Sequence, residues 1–437
     1  MYIHKVSLRN IRGFETLDFD LVRPDGKYAG WTVFTGDNGS GKSTLLKAIA
    51  MGLVGPDTRR ALQPSLHRWI SAMSKDKTGS IQLEIKCTPD DADLDGQGRS
   101  PANIFPVTLE LVNGGKQTEM HAPQPASGKQ KKTSPERTIW SPNTTGWFSC
   151  GYGPFRRVFG ASAEATEIMV KSSTARYATM FQEAASLSPA DRWLKDLDHK
   201  ASKDSNSRER DELNLLLEIL QDELMPNGMS IKRVDADGLW LSDQNGVELS
   251  WGEMSDGYRA ALALLTDIIR HLTFAYDQQG LKELLDKDAN GHLFVKSTGV
   301  VLIDEIDAHL HPEWQREIGF WLKRHFPNIQ FLVTTHSPII CQAADPNGLF
   351  VLPEPGGEAK PRPLSDEEYK KVIASRPDTI LLSPAFGLQN TRSPRAVEGR
   401  AKLAKLEGKK RAGGRLTSEE KKLADQLQLF ATPEAET

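Results

Sequence analysis

A lysine behind a glycine-rich turn, a serine beside it and two acids at the end of a distant apolar run have the residue types and order that phosphoryl transfer requires. Gly36-Asp37-Asn38-Gly39-Ser40-Gly41-Lys42-Ser43 fits G-x-x-x-x-G-K-[ST] at every fixed position. In such a loop the glycines let backbone N–H groups turn inward around an anion, and the following helix adds partial positive charge. Lys42 then reaches the β- and γ-phosphates, and the Ser43 hydroxyl ligates Mg²⁺. Val300-Val301-Leu302-Ile303-Asp304-Glu305 supplies the complementary acids. Asp304 is the expected second Mg²⁺ ligand and Glu305 the general base. His336, in Thr335-His336-Ser337, ends the next apolar run within reach of the γ-phosphate. In Leu249-Ser250-Trp251-Gly252-Glu253-Met254-Ser255-Asp256-Gly257-Tyr258-Arg259, Ser255 and the N–H of Gly257 stand at another helix N-terminus, a second anion site.

The elements around these residues follow from periodicity. Ile3, Val6 and Leu8, then Leu17, Phe19 and Leu21, then Trp31 to Thr35 predict three short strands before the loop. Leu45, Leu46, Ile49 and Leu53 give the helix after it a one-sided apolar stripe. Ile81-Leu83-Ile85 and Val107-Leu109-Leu111, each taken at alternate positions, predict two further strands, and the polar stretch from Asn113 to Gly146, with Lys129, Lys131 and Lys132, predicts a long mobile loop. From about Ala161 to Leu224 the pattern is helical: Pro189 and Asp191 open one helix, and Leu213, Leu217, Leu220 and Leu224 stripe another before Pro226. A meander with turns at Asp237-Gly238 and Asn245-Gly246 follows, then a helix through Ala260 to His271. Gly299 to Asp304, Phe331 to Thr335 and Leu349 to Leu352 read as buried strands. Ser365-x-x-Glu368 and Thr417-x-x-Glu420 are capping boxes.

Composition narrows the class without naming a partner. The chain has 437 residues, 38% hydrophobic and 26% charged, the balance of an ordinary globular protein. Its net charge of −3 means that any affinity for nucleic acid comes from a local patch. Cys87, Cys150 and Cys341 have no C-x-x-C spacing, which removes a disulfide framework and a zinc finger and fits a reducing cytoplasm. No apolar run approaches the roughly 18 residues of a membrane span, and the first residues lack a signal-peptide core.

Four motifs in this order resemble the ABC-type ATPase heads of the SMC, RecF and OLD class. The resemblance covers roughly residues 1–160 and 225–352. It implies an α/β head with a RecA-like parallel core and an antiparallel β-subdomain. Its parts are Walker A at Gly36 to Ser43, signature at Ser255 to Tyr258, Walker B at Asp304 with Glu305, and a switch histidine at His336. Leu8-Arg9-Asn10-Ile11-Arg12-Gly13-Phe14 looks like the family's first hairpin, and Arg12 and Thr44 join the nucleotide contacts. ATP and Mg²⁺ are the implied cofactors, with the signature of one subunit closing over ATP held by another in a homodimer or higher oligomer. The implied division is an N-lobe at 1–160, a helical insertion at 161–224, a C-lobe at 225–353 and a helical basic tail at 354–437. Two departures stand out. Trp147 to Arg157, where the family carries its Q-loop, has no glutamine, and Ala308-His309-Leu310-His311-Pro312 replaces the transporter-type D-loop aspartate. His309 and His311 read as turn and dimer contacts rather than metal ligands.

The 262-residue separation of Lys42 and Asp304 holds no sustained heptads, which excludes a long SMC-type arm. The 101 residues after His336 contain no Asp-x-Asp, so the metal-dependent nuclease of OLD proteins is not expected. From Arg392 to Arg415 nine basic residues face two acids, a tract suited to nucleic acid, to a protein partner or to plain solvation. The compact head, Gly151-Tyr152-Gly153-Pro154-Phe155-Arg156, the His-Leu-His-Pro turn and this tail look like the stand-alone ATPases of bacterial antiphage systems. In Septu-type systems such an ATPase partners an HNH nuclease, and in PARIS-type systems a Toprim protein. The expectation is an ATP-driven sensor and scaffold controlling a separate nuclease or toxin effector. The alternatives are a RecF-like DNA-repair ATPase and a nucleotide-switched structural oligomer.

Overall fold

The computed structural model describes residues 1–56, 62, 65–88, 103–114, 118–123, 134–141, 146–158, 160, 162, 175–204, 207–225, 228–276, 280–353 and 362–428. Strands β1 (Tyr2–Ile11) and β2 (Phe14–Asp20) form a hairpin, β3 (Gly30–Thr35) runs into the glycine-rich turn, and α1 (Lys42–Val54) leaves it. β4 (Thr78–Lys86), β5 (Ile104–Asn113), β6 (Thr118–His121) and β7 (Ser149–Tyr152) come next. Helices α2 (Ser188–Lys203) and α3 (Arg208–Gln221) precede the meander of β8 (Ser230–Asp235), β9 (Gly238–Ser242) and β10 (Glu248–Leu249). Then come α4 (Asp256–Ala275), the hairpin β11 (Leu285–Lys287) and β12 (Leu293–Val295), β13 (Gly299–Ile303), α5 (Pro312–His325) and β14 (Ile329–Thr334). β15 (Leu349–Val351), β16 (Arg362–Pro363), α6 (Asp366–Ala374), α7 (Pro394–Arg411) and α8 (Ser418–Leu427) follow.

Two sheets organise the head. The larger has the order β16-β15-β3-β14-β13-β7, with β15, β3, β14, β13 and β7 parallel and β16 antiparallel at the edge. The other is antiparallel, in the order β2-β1-β4-β5-β6. Parallel strands covered on both faces must be apolar throughout, as Val300 to Ile303 is. Their period of two divides the side chains between two cores. Val301, Ile303, Phe331 and Val333 enter one core with Leu265 and Ile268 of α4 and Ile318 of α5. Val300, Leu302, Leu332 and Phe34 enter the other, beside Leu45, Ile49 and Met51 of α1 and Ile81 and Leu83 of β4. Helix α1 is therefore clamped between the two sheets. Both capping boxes form, each with its reciprocal pair of bonds.

One buried amide joins the sheets. Gln330 of β14 accepts from the Ile3 N–H at 2.8 Å and donates to the Ile3 carbonyl at 3.0 Å, fully shielded from solvent. That satisfies a pair of β1 backbone groups where the strand's register shifts.

Between Asn113 and Arg157 the structure departs from the sequence reading. Part of the stretch expected to be a mobile loop is built into the head: β6 pairs with β5, and Trp140 donates from its indole nitrogen to the Gly52 carbonyl at 2.9 Å. A four-residue strand and a single aromatic anchor are too short to register as periodicity, and Lys129, Lys131 and Lys132 lie outside the described residues. The segment set aside as the Q-loop equivalent contains strand β7, hydrogen-bonded to β13. Residues 163–174 of the expected helical insertion and Pro226 are also outside the described residues. Among the described residues no helix is long and apolar enough to cross a membrane.

Gln330→Leu should leave the Ile3 N–H and C=O without partners and lower stability by about 2 kcal/mol, measured as a shift in the urea midpoint. A midpoint equal to wild type would mean that the inter-sheet amide contributes nothing.

Candidate nucleotide site

The glycine-rich turn leaves β3 at the carboxyl edge of the parallel sheet. Gly41 precedes α1 with φ +95°, a left-handed conformation that costs other residues energy. A Cβ there would also lie 2.5 Å from the Phe14 ring, so the first hairpin backs the turn directly. In front lies a cleft of about 390 Å³ lined by Arg12, Gly13, Phe14, Asn38, Gly39, Ser40, Gly41, Lys42, Ser43, Thr44, Glu305, His336 and Pro353. Gly36 and Asp37 do not line it, and their carbonyls accept from the Lys42 ammonium at 2.8 and 2.9 Å. Burial lowers the Lys42 pKa, opposed by the charges of Asp304 and Glu305. Arg12, at φ +48°, lays its guanidinium over the Trp69 ring and donates to the Thr44 hydroxyl at 3.3 Å.

The acids occupy the next strand but one. Asp304 is 1% exposed, and its Oδ1 accepts from the Thr334 hydroxyl at 2.6 Å. The other oxygen, Oδ2, is buried without a hydrogen-bond partner, as is the Ser40 hydroxyl in the cleft wall. A partnerless buried carboxylate oxygen is costly unless it meets a cation. Asp304 itself does not line the cleft, whereas Ser43 does; both carry hard oxygens of the kind Mg²⁺ takes. Glu305 reaches the cleft from a strained backbone, φ +47°, and its N–H donates to the same Thr334 hydroxyl at 2.7 Å. His336 is exposed at the opening, its N–H donating to Asp307 Oδ1 at 3.4 Å, which also accepts from Thr335 Oγ1 at 2.5 Å.

The signature residues lie elsewhere. Neither Ser255 nor Gly257 lines the cleft. Ser255 is exposed and caps α4 by position, yet its hydroxyl makes no capping bond. Gly257 is packed so tightly that a Cβ would lie 2.9 Å from the His309 carbonyl oxygen. Tyr258 meets the Trp314 ring edge-on at 5.7 Å. His309 takes a left-handed φ of +68°, and His311 caps α5, its Nδ1 accepting from the Glu313 N–H at 3.5 Å. Gly257 and the His-Leu-His-Pro turn therefore touch, and none of Ser255, Gly257, His309 and His311 lines the chain's own cleft.

Motif matching missed the support behind the acids. Arg156 is 3% exposed and donates to five carbonyls: Gly153 at 3.0 Å, Asp304 at 2.7 Å, Glu305 at 2.9 Å, and Ile306 and Ala308 at 3.3 Å each. Burial lowers its pKa to about 10, while Asp304 and Asp307 oppose the shift, and the group stays charged at neutral pH. The only sequence signal was an arginine following Gly-Pro-Phe in the stretch that lacked its glutamine.

Known proteins resemble this chain along most of its length. A family model described as an AAA domain matches residues 5–225, and a second AAA-domain model, whose description also names an AbiEii toxin of a type IV toxin–antitoxin system, matches residues 127–342. "Retron Ec83 probable ATPase" of Escherichia coli is 27% identical, over 79% of this chain and 70% of its own length. "Septu protein PtuA" of Bacillus mycoides is 25% identical, over 89% of this chain and 45% of its own, so the chain spans less than half of that relative. Among solved structures, an SMC head bound to the C-terminal winged-helix domain of ScpA aligns at TM-score 0.46 and 16% identity, covering 84% of this chain and 99% of that one. With the glycine-rich loop, both acids and His336 at the ends of strands of one parallel sheet, and an AAA-domain model spanning half its length, the chain belongs to the AAA-domain family.

Proposed function

We propose that the chain is a Mg²⁺-dependent ATPase whose nucleotide is held between two copies, and that it serves antiphage defence by holding or licensing a separate nuclease or toxin effector. The observation that carries the ATPase reading is the convergence of Lys42, Glu305 and His336, from three separate stretches of chain, on one cleft. The backbone N–H groups of residues 38–43 receive the phosphates. Lys42 exchanges the Gly36 and Asp37 carbonyls for the β- and γ-phosphates, and Arg12 and Thr44 flank the loop. Ser43 Oγ and Asp304 Oδ2 would hold Mg²⁺, which supplies charge neutralisation of the phosphate oxygens. Glu305 accepts the proton of the attacking water as the bond to the γ-phosphorus forms and ADP leaves, and His336 contacts the transferred phosphate.

The exposed, uncapped Ser255 supports the shared site. Its hydroxyl is exposed and makes no cap bond at the start of α4, as a site for an anion brought by a second copy requires. The effector role rests on the Septu and retron names of the relatives. The basic, exposed α7 supports a docking role for the tail, toward that effector or toward nucleic acid, and this also favours the second reading, a RecF-like ATPase on DNA. We place the protein in the cytoplasm, where its three buried thiols stay reduced.

Lys42→Ala should abolish turnover and most ATP binding, and hydrolysis within about threefold of wild type would sink the Walker A assignment. Glu305→Gln should keep ATP binding and slow hydrolysis by about 10²–10⁴, seen as ATP retained through gel filtration and as a shift to a larger species.

Mixing Lys42→Ala with Ser255→Arg rebuilds one complete site per dimer, so partial recovery of turnover is expected. Two folded, associating variants that stay inactive together would rule out sharing between copies.

Deleting residues 395–437 should leave turnover near normal and weaken binding of effector or DNA. DNA binding by the full chain should fall by about 0.9 log units per log unit of salt for each phosphate contact.

A further inference from the structure

Glu305 is a non-glycine residue in the left-handed region, at the point where its carboxylate must face the cleft. Such a conformation persists only where the surroundings over-determine it. Two groups do so here. The Thr334 hydroxyl takes the Glu305 N–H, and the Arg156 guanidinium takes its carbonyl. Of the five carbonyls on Arg156, four belong to the turn itself, at residues 304, 305, 306 and 308. Four carbonyl dipoles converging on one point repel one another unless a cation sits among them. Arg156 is that cation, and its planar fork can serve acceptors spread around it. It does not line the cleft, so it has no direct part in holding nucleotide.

We infer that Arg156 is a positioning residue for hydrolysis: its guanidinium gathers the carbonyls of residues 304–308 and thereby holds Glu305 left-handed, with the carboxylate aimed at the attacking water. This rests on the proposed role of Glu305 as general base. It goes beyond that role by assigning a cationic support to the segment where the family's glutamine is missing. A lysine would keep the charge but has three donors for five acceptors, and a glutamine keeps two donors without charge. In either case the carbonyls would splay, Glu305 would relax toward an ordinary φ, and its carboxylate would swing off the water.

The test uses the full chain, with steady-state turnover and equilibrium binding of a fluorescent ATP analogue measured separately. Arg156→Lys and Arg156→Gln should each lower kcat by about tenfold or more, within the range of a displaced general base, while KM and analogue affinity stay within about twofold. In the Glu305→Gln background the same substitutions should slow hydrolysis no further, because the group they aim is already disabled. Full additivity there, or parallel loss of kcat and analogue binding, would overturn the inference and reduce Arg156 to a fold-holding residue. Failure of both variants to fold would do the same. If Glu305→Gln itself leaves hydrolysis unchanged, the general-base reading fails first, and a large kcat effect at Arg156 would then have to run through Asp304.

Discussion

Everything at the site depends on the parallel registration of three strands that are far apart in sequence. β3 lies beside β14 and β14 beside β13, with Val33 opposite Val333 and Val333 opposite Ile303. Because the strands run the same way and in step, each releases its chain at the same edge within a residue or two. Gly36 leaves β3 there, Asp304 leaves β13 and Thr335 leaves β14. The carboxyl edge of a parallel sheet is where open α/β folds collect ligands, since loops there are free to vary while the strands are fixed. A slip of one residue in β13 would exchange Val300 and Leu302 with Val301 and Ile303 between two different cores, and both cores resist it.

On that edge, short side chains translate strand register into site geometry. The Thr334 hydroxyl touches both acids, donating to Asp304 and accepting from the Glu305 N–H. Thr335 and the His336 N–H share Asp307 Oδ1, and the Ser337 hydroxyl donates to Gln315 Oε1 at 2.7 Å while Gln315 donates to the Leu310 carbonyl at 2.8 Å. The loop bearing His336 is thereby stitched to the His-Leu-His-Pro turn, and that turn touches Gly257 through the His309 carbonyl. Contacts of this kind pass position along a chain of fixed hydrogen bonds, which is why residues of no obvious chemistry, such as Asp307 and Gln315, belong to the description of the site.

What the sequence made legible is what periodicity and motif spacing encode. Val300 to Ile303 was readable as a buried strand because a strand covered on both faces has to be apolar throughout, and Ser365 and Thr417 were readable as caps because their partners lie only three residues away. The cleft residues from Asn38 to Thr44, together with Glu305 and His336, were likewise legible as nucleotide-site candidates. Arg156 was not. Its acceptors lie about 150 residues on and are backbone carbonyls, which leave no mark on residue identity. Strand β7 was missed because it spans four residues with a glycine at the third, and the anchoring of Trp140 on Gly52 depends on tertiary contact alone.

Helix α4, which Ser255 precedes, is held by a buried charge cluster. Deep in the head its Asp267 accepts from the Tyr152 hydroxyl at 3.1 Å, pairs with Arg270 at 2.7 Å and lies 3.3 Å from His271, all of them buried. Although burial raises the Asp267 pKa, His271 and Arg270 more than offset it and hold the carboxylate ionised well below its usual range. Removing one partner from such a buried cluster costs about 3–5 kcal/mol, more than a flexible tether could absorb. Tyr152 is the last residue of β7, and its carbonyl accepts from the Asp304 N–H at 2.8 Å. Helix α4 is thus locked to the strand beside the acids. Because neither Ser255 nor Gly257 lines the chain's own cleft, the proposed function gives their phosphate to a second copy.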